Sequence, residues 1–142
     1  MDDYVDQMVE AFIAALLWAG LSDVLEEGQE EGGNTMSFED AGYDADDIHP
    51  DALAEIEHDC AEFYEHNANI LNWIRTRHRS GGSSTGFYNA EMAGHDFYLT
   101  REGHGVGFWD RGLGMVGDIL THEAKCYGSV DAYVGDDGKI YV

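Results

Sequence analysis

The chain has 142 residues, 44% of them hydrophobic, and a formal net charge of -22 from 29 acidic and 7 basic residues. That length suits a single domain, 1–142, with a real core, and the apolar content excludes a disordered acidic tail. The charge excludes direct nucleic-acid binding and an anionic membrane as partners, and favours basic proteins.

The charge is also segregated. No Lys or Arg precedes Arg75, and 20 of the 29 acids lie in residues 1–74. Adaptation to high salt would spread acids over the whole surface. Asp2 and Asp3 open an amphipathic helix predicted to run to about Trp18, with Val5, Met8, Val9, Phe12, Ile13, Leu16 and Leu17 at helical spacing and Gly20 as its stop. Its apolar run, Ala11 to Ala19, is too short to span a bilayer, and no signal peptide is expected. Residues 22–49 read as loop. Their acidic runs, Glu26 to Glu31 and Asp44 to Asp47, lack the spacing and closing glutamate of a calcium loop, so no metal or cofactor is expected.

Pro50 suits the first turn of a long helix. Leu53, Ile56, Cys60, Phe63, Asn67, Ile70 and Ile74 step by three and four and predict one buried seam. Opposite it, Asp51, Glu55, Asp59 and Glu62, flanked by Glu57 and Glu65, predict a ladder of carboxylates about 6 Å apart along the axis. His58, Glu62 and His66 share a face, but the outer pair spans about 12 Å, too far for one ion. Arg75, Arg77, His78 and Arg79 suit the negative end of this helix. Ser80 to Gly86 reads as a flexible link between an acidic helical half, 1–79, and a C-terminal half, 87–142.

Phe87 to Ala93 suggests a short helical turn. Gly94 to Gly114 reads GHDFYLTREGHGVGFWDRGLG, with alternating Phe97 and Leu99, a turn at 102–105, then alternating Val106 and Phe108. That pattern predicts a β-hairpin whose second strand is thinned by glycine. Leu113, Val116, Ile119, Leu120 and Ala124 predict a helix to about Tyr127, ended by Gly128. Asp131 to Val134 and Lys139 to Val142 flank Gly135-Asp136-Asp137-Gly138, a hairpin signal. The second half therefore reads ββαββ. The expected class is α+β, two N-terminal helices on a small, mainly antiparallel sheet.

The central hairpin would gather His95, Asp96, Arg101, His104, Trp109, Asp110 and Arg111. A histidine and a carboxylate can form a general base and its orienter, so a small hydrolase or metal-dependent enzyme centred on His95, His104 and Asp110 is the alternative function. No nucleophile elbow, P-loop, HExxH or CxxC motif accompanies them, and no residue is assigned as catalytic. Asp110 and Arg111 are expected to pin the hairpin by salt bridges. Cys60 and Cys126 match no zinc or redox spacing and read as reduced, buried thiols of a cytosolic protein.

The segment AGHDFYLTREGHGVGFWDRGLG, the ending YVGDDGKIY, the pattern of Asp59, Cys60, Phe63 and Asn67, and the ALLW run ending at Trp18 together resemble small acidic proteins of bacteriophages and mobile elements. This chain departs from them in having Tyr98 where tryptophan is expected and a longer, more acidic region between Leu21 and Asp47. The resemblance implies a phage-type accessory protein acting in the host cytoplasm, and brings no catalytic assignment. With the charge pattern, the leading expectation is a non-enzymatic DNA-mimic-like binder or inhibitor of a basic, nucleic-acid-binding host protein, for example one of a defence system. Asp51, Glu55, Asp59, Glu62 and Glu65 are its expected contact residues. A third alternative is a structural accessory protein that forms a homodimer through the first apolar helix.

Overall fold

The computed structural model describes residues 3–25, 35–77, 88–103 and 106–142. Helix α1 spans Asp3–Ala19 and buries the apolar face read from its spacing. Gly20 closes it by donating to the Leu16 carbonyl at 2.7 Å, in a space where a Cβ would lie 2.9 Å from the Phe38 ring. Strand β1, Leu21–Leu25, then pairs antiparallel with β2, Thr35–Ser37, inside the region expected to be loop. The acids that follow are used as local caps. In the 3-10 turn Ala45–Asp47, Asp44 accepts from the Asp46 N–H and Asp47 accepts from the Asp44 N–H, both at 2.9 Å.

Helix α2 runs Pro50–Arg77 and buries Ala52, Ile56, Cys60, Phe63, Asn67, Leu71 and Ile74. Its polar seam residue explains a kink. Asn67 has φ -119° and ψ 17°, outside the helical region, and its buried amide donates to the Phe63 carbonyl at 2.9 Å. Beyond the kink the fully buried line passes through Leu71, leaving Ile70 half-buried. The Asn72 amide donates to the Tyr64 hydroxyl at 3.0 Å, tying the two segments together.

The hairpin expected over Gly94 to Gly114 is not formed. Its first half lies in helix α3, Ala90–Glu102, and its second half contains the 3-10 turn Phe108–Asp110. The reason is burial. Asp96, Phe97, Tyr98, Leu99 and Thr100 are buried in succession, so α3 has no wet face there to print a 3.6-residue period. In such a helix the alternation of Phe97 and Leu99 reads as strand with equal ease. Local chemistry fixes the ends: the Asn89 side chain accepts from the Met92 N–H at 3.0 Å, and Gly103 ends the helix at φ 73°. Gly94 marks a close backbone approach between two helices. A Cβ there would lie 2.2 Å from the Met8 carbonyl oxygen of α1.

Helix α4, Met115–Lys125, is followed by Gly128 in a left-handed conformation. Strands β3, Tyr133–Val134, and β4, Ile140–Tyr141, pair antiparallel around the Gly135 to Gly138 turn. Ile140 also bridges Ile48, and its carbonyl accepts from the His49 N–H at 2.9 Å, which docks the ribbon at the start of α2.

The class is therefore four helices with two separate two-stranded ribbons among the described residues, not two helices on a ββαββ sheet. The described residues before and after the expected link share one core. One hydrophobic cluster draws on all four helices, and α1 packs most heavily on α3. Its centre is aromatic: Phe63 stacks on Phe97 with ring centroids 4.4 Å apart, and on Phe108 at 5.6 Å. The expected link, Ser80 to Gly86, and the acidic run from Glu26 to Glu31 lie outside the described residues. Helix α1 spends most of its apolar residues in this core and leaves Trp18 exposed.

Candidate functional site

The carboxylate ladder of α2 divides into two kinds of residue. Arg101 projects from the last turn of α3 with a side chain only 8% exposed. Its guanidinium donates to the Gly128 carbonyl at 2.9 Å and to Asp59 at 3.1 Å. It also lies over the rings of Phe97, Tyr127 and Phe12, 5.1, 5.4 and 5.9 Å from their centroids. Asp59 is thus the counter-ion of a buried cation. Glu62 accepts from the Tyr127 hydroxyl at 2.9 Å, and burial together with that bond raises the Tyr127 pKa above its ordinary range. Glu62 also lies 3.6 Å from His58. Asp59 and Glu62 each have a partner within the fold. Asp51, Glu55 and Glu65 remain exposed. Glu55 and Asp59 border a cleft of about 350 Å³ whose floor includes Arg101 and Tyr127.

Of the residues expected to share one hairpin site, Asp96, Asp110 and Arg111 come together, while Arg101 pairs with Asp59 and His95 borders another cleft. Asp96 has no exposed surface. Arg111 reaches it through two nitrogens, at 2.9 and 3.1 Å, and the Tyr88 hydroxyl donates to it at 2.6 Å. Burial and the adjacent carboxylate push the Tyr88 hydroxyl well above its ordinary pKa. The hydrogen bonds to Asp96 hold Arg111 protonated still more firmly than usual. The partner of Arg111 is therefore chiefly Asp96. The expected Asp110 lies 3.9 Å away and instead caps the 3-10 turn, accepting from the Gly107 N–H at 3.0 Å. His95 borders a different cleft with Gln7, Glu10 and Glu91, against α1. Trp109 is half exposed while its neighbour Phe108 is buried, and His104 lies outside the described residues. Among the described residues, no three His, Cys, Asp or Glu side chains are placed to hold a metal. Cys60 is buried as expected, but Cys126 is exposed.

One cluster escaped the sequence reading. The His49 ring stacks on Tyr141 at 4.5 Å and 22°, and Tyr141 stacks on Tyr133 at 5.5 Å and 16°. Tyr141 donates to the Asp137 carboxylate at 2.7 Å. That bond pushes Tyr141 up to about 12 and holds Asp137 below its ordinary value. The His49 Nδ1 accepts from the Asp51 N–H at 3.1 Å and lies 3.8 Å from the Asp51 carboxylate. A signal for half of this existed, since the four-residue turn at 135–138 sets Tyr133 opposite Tyr141. His49 joins only through the tertiary docking of β4.

Among the described residues, no Lys or Arg pairs with any carboxylate of residues 3–55. Asp6 and Glu10 on α1, Glu39 and Asp40 after β2, Asp46 in the 3-10 turn, and Asp51 and Glu55 on α2 are all exposed. The chain matches no family model, no curated protein and no solved structure. No helix among the described residues is long and apolar enough to cross a membrane.

Proposed function

We propose that this chain is a non-enzymatic binding protein that engages a basic, nucleic-acid-binding host protein through its exposed carboxylates, as a phage-type accessory protein acting in the host cytoplasm. The observation that supports this reading is a division of labour among the acids. Asp59, Glu62 and Asp96 have internal partners, while among the described residues no Lys or Arg pairs with the exposed carboxylates of residues 3–55. Unneutralised carboxylates cost stability through mutual repulsion, and a partner's Lys and Arg relieve that cost on binding. Such carboxylates stand in for phosphates and block the groove in which the partner holds nucleic acid. The resemblance of the Ala93 to Gly114 segment to acidic phage proteins supports the same reading.

The test begins with an affinity pull-down from host lysate, followed by titration of the captured protein. Replacing Asp46, Asp51 and Glu55 together by Lys is expected to weaken binding at least about tenfold, while Asp118→Lys on α4 changes it little. Added salt should weaken the complex, and excess DNA should displace this chain. Binding that survives the triple reversal and ignores DNA would sink the proposal.

A further inference from the structure

Three aromatic rings at the corner between β3–β4 and the start of α2 form a stack that ends, among the described residues, at Tyr133. Tyr141 occupies the middle, with His49 on one face and Tyr133 on the other. Its hydroxyl is tied to Asp137, and its edge packs on Gly135, where a Cβ would lie 2.5 Å from the ring. His49 is anchored in turn by its backbone bond to Ile140. Tyr133 terminates the stack and is 53% exposed. The platform is thus assembled before any partner arrives, and binding to it costs little further ordering.

The surrounding charge selects what suits that face. Asp137 lies beside the middle ring and Asp51 beside His49 at the inner end, and the chain carries a net charge of -22. Phosphates and acidic peptides are repelled. A cation is attracted both by the carboxylates and by the negative face of the ring. Between the two basic side chains, arginine alone is planar and stacks on an aromatic face while its N–H groups stay free to hydrogen-bond at the ring's edge.

We propose that the His49–Tyr141–Tyr133 stack, with Asp137 beside its middle ring and Asp51 beside His49, is a docking platform for an arginine side chain of a basic partner protein, with the guanidinium lying over the outer face of Tyr133. The inference rests on the basic-partner reading above and adds to it a preference for arginine over lysine.

The experiment titrates the full chain into fluorescein-labelled hexa-arginine and hexa-lysine peptides and follows anisotropy at low salt. Hexa-arginine is expected to bind about 2- to 5-fold more tightly than hexa-lysine. Tyr133→Leu should erase that preference by weakening hexa-arginine alone, and Tyr133→Trp should keep it. A second readout needs no variant: the ring resonances of Tyr133 in the parent protein should shift when hexa-arginine is added. Equal affinities for the two peptides, a preference that survives Tyr133→Leu, or ring resonances that stay in place would each overturn the arginine platform and leave the basic-partner reading standing. If neither peptide binds at low salt, both fall.

Discussion

A carboxylate with no surface in water needs a full set of partners, and Asp96 takes them from Arg111 and Tyr88. The two partners are unequal. Arg111→Leu leaves a buried charge uncompensated, and its expected cost is about 3–5 kcal/mol. Tyr88→Phe removes one hydrogen bond and keeps the ring, for about 1–3 kcal/mol. Urea denaturation of the two variants measures the difference, and small, equal losses would mean that water reaches the carboxylate. The sequence named Asp96 and Arg111 but did not join them, because a linear reading offers only adjacency. The true pair is separated by 15 positions and is set by where α3 lies. Tyr88 drew no attention for the same reason, since its role exists only in three dimensions. Asp59 and Glu62 looked like solvent-facing acids because their partners, Arg101 and Tyr127, come from α3 and from the residues after α4.

Elements were legible in proportion to their wet surface. Helices α1, α2 and α4 each keep an exposed side, and their apolar spacing locates them to within a few residues. The β3–β4 ribbon was legible for a different reason, a four-residue turn whose chemistry is local. Helix α3 offers neither signal along its buried centre, so its sequence reads as a strand. Gly94 gives the element-scale prediction. On an exposed helix, Gly→Ala gains up to about 1 kcal/mol. Here the new Cβ meets a backbone oxygen of α1 at 2.2 Å, an atom that cannot rotate away. The clash wins, and Gly94→Ala is expected to cost about 1–3 kcal/mol by separating α1 from α3. Glu91→Ala, on the exposed side of the same helix, should stay within about 0.5 kcal/mol. Thermal melts of the pair decide the matter, and a stabilised Gly94→Ala would show that the helices are not in contact there.

At the scale of the molecule, two of the few cations, Arg101 and Arg111, are committed to internal carboxylates, and the chain as a whole carries a net charge of -22 whose members repel one another. Screening length falls from about 30 Å at 0.01 M salt to about 3 Å at 1 M. The melting temperature is therefore expected to rise by a few degrees, on the order of 1 kcal/mol, as sodium chloride increases over that range. A flat or falling curve in differential scanning calorimetry would show the acids to be locally neutralised. The dependence of α1 on α3 also sets a schedule. During synthesis the apolar face of α1 emerges roughly 80 residues before its chief partner is complete, from Ala19 to Glu102. At about 5–20 residues per second that is a wait of roughly 4–16 seconds. Throughout that interval the nascent chain carries a sticky helix followed by a long run of negative charge. The repulsion that weakens the finished fold keeps neighbouring unfinished copies apart until α3 arrives.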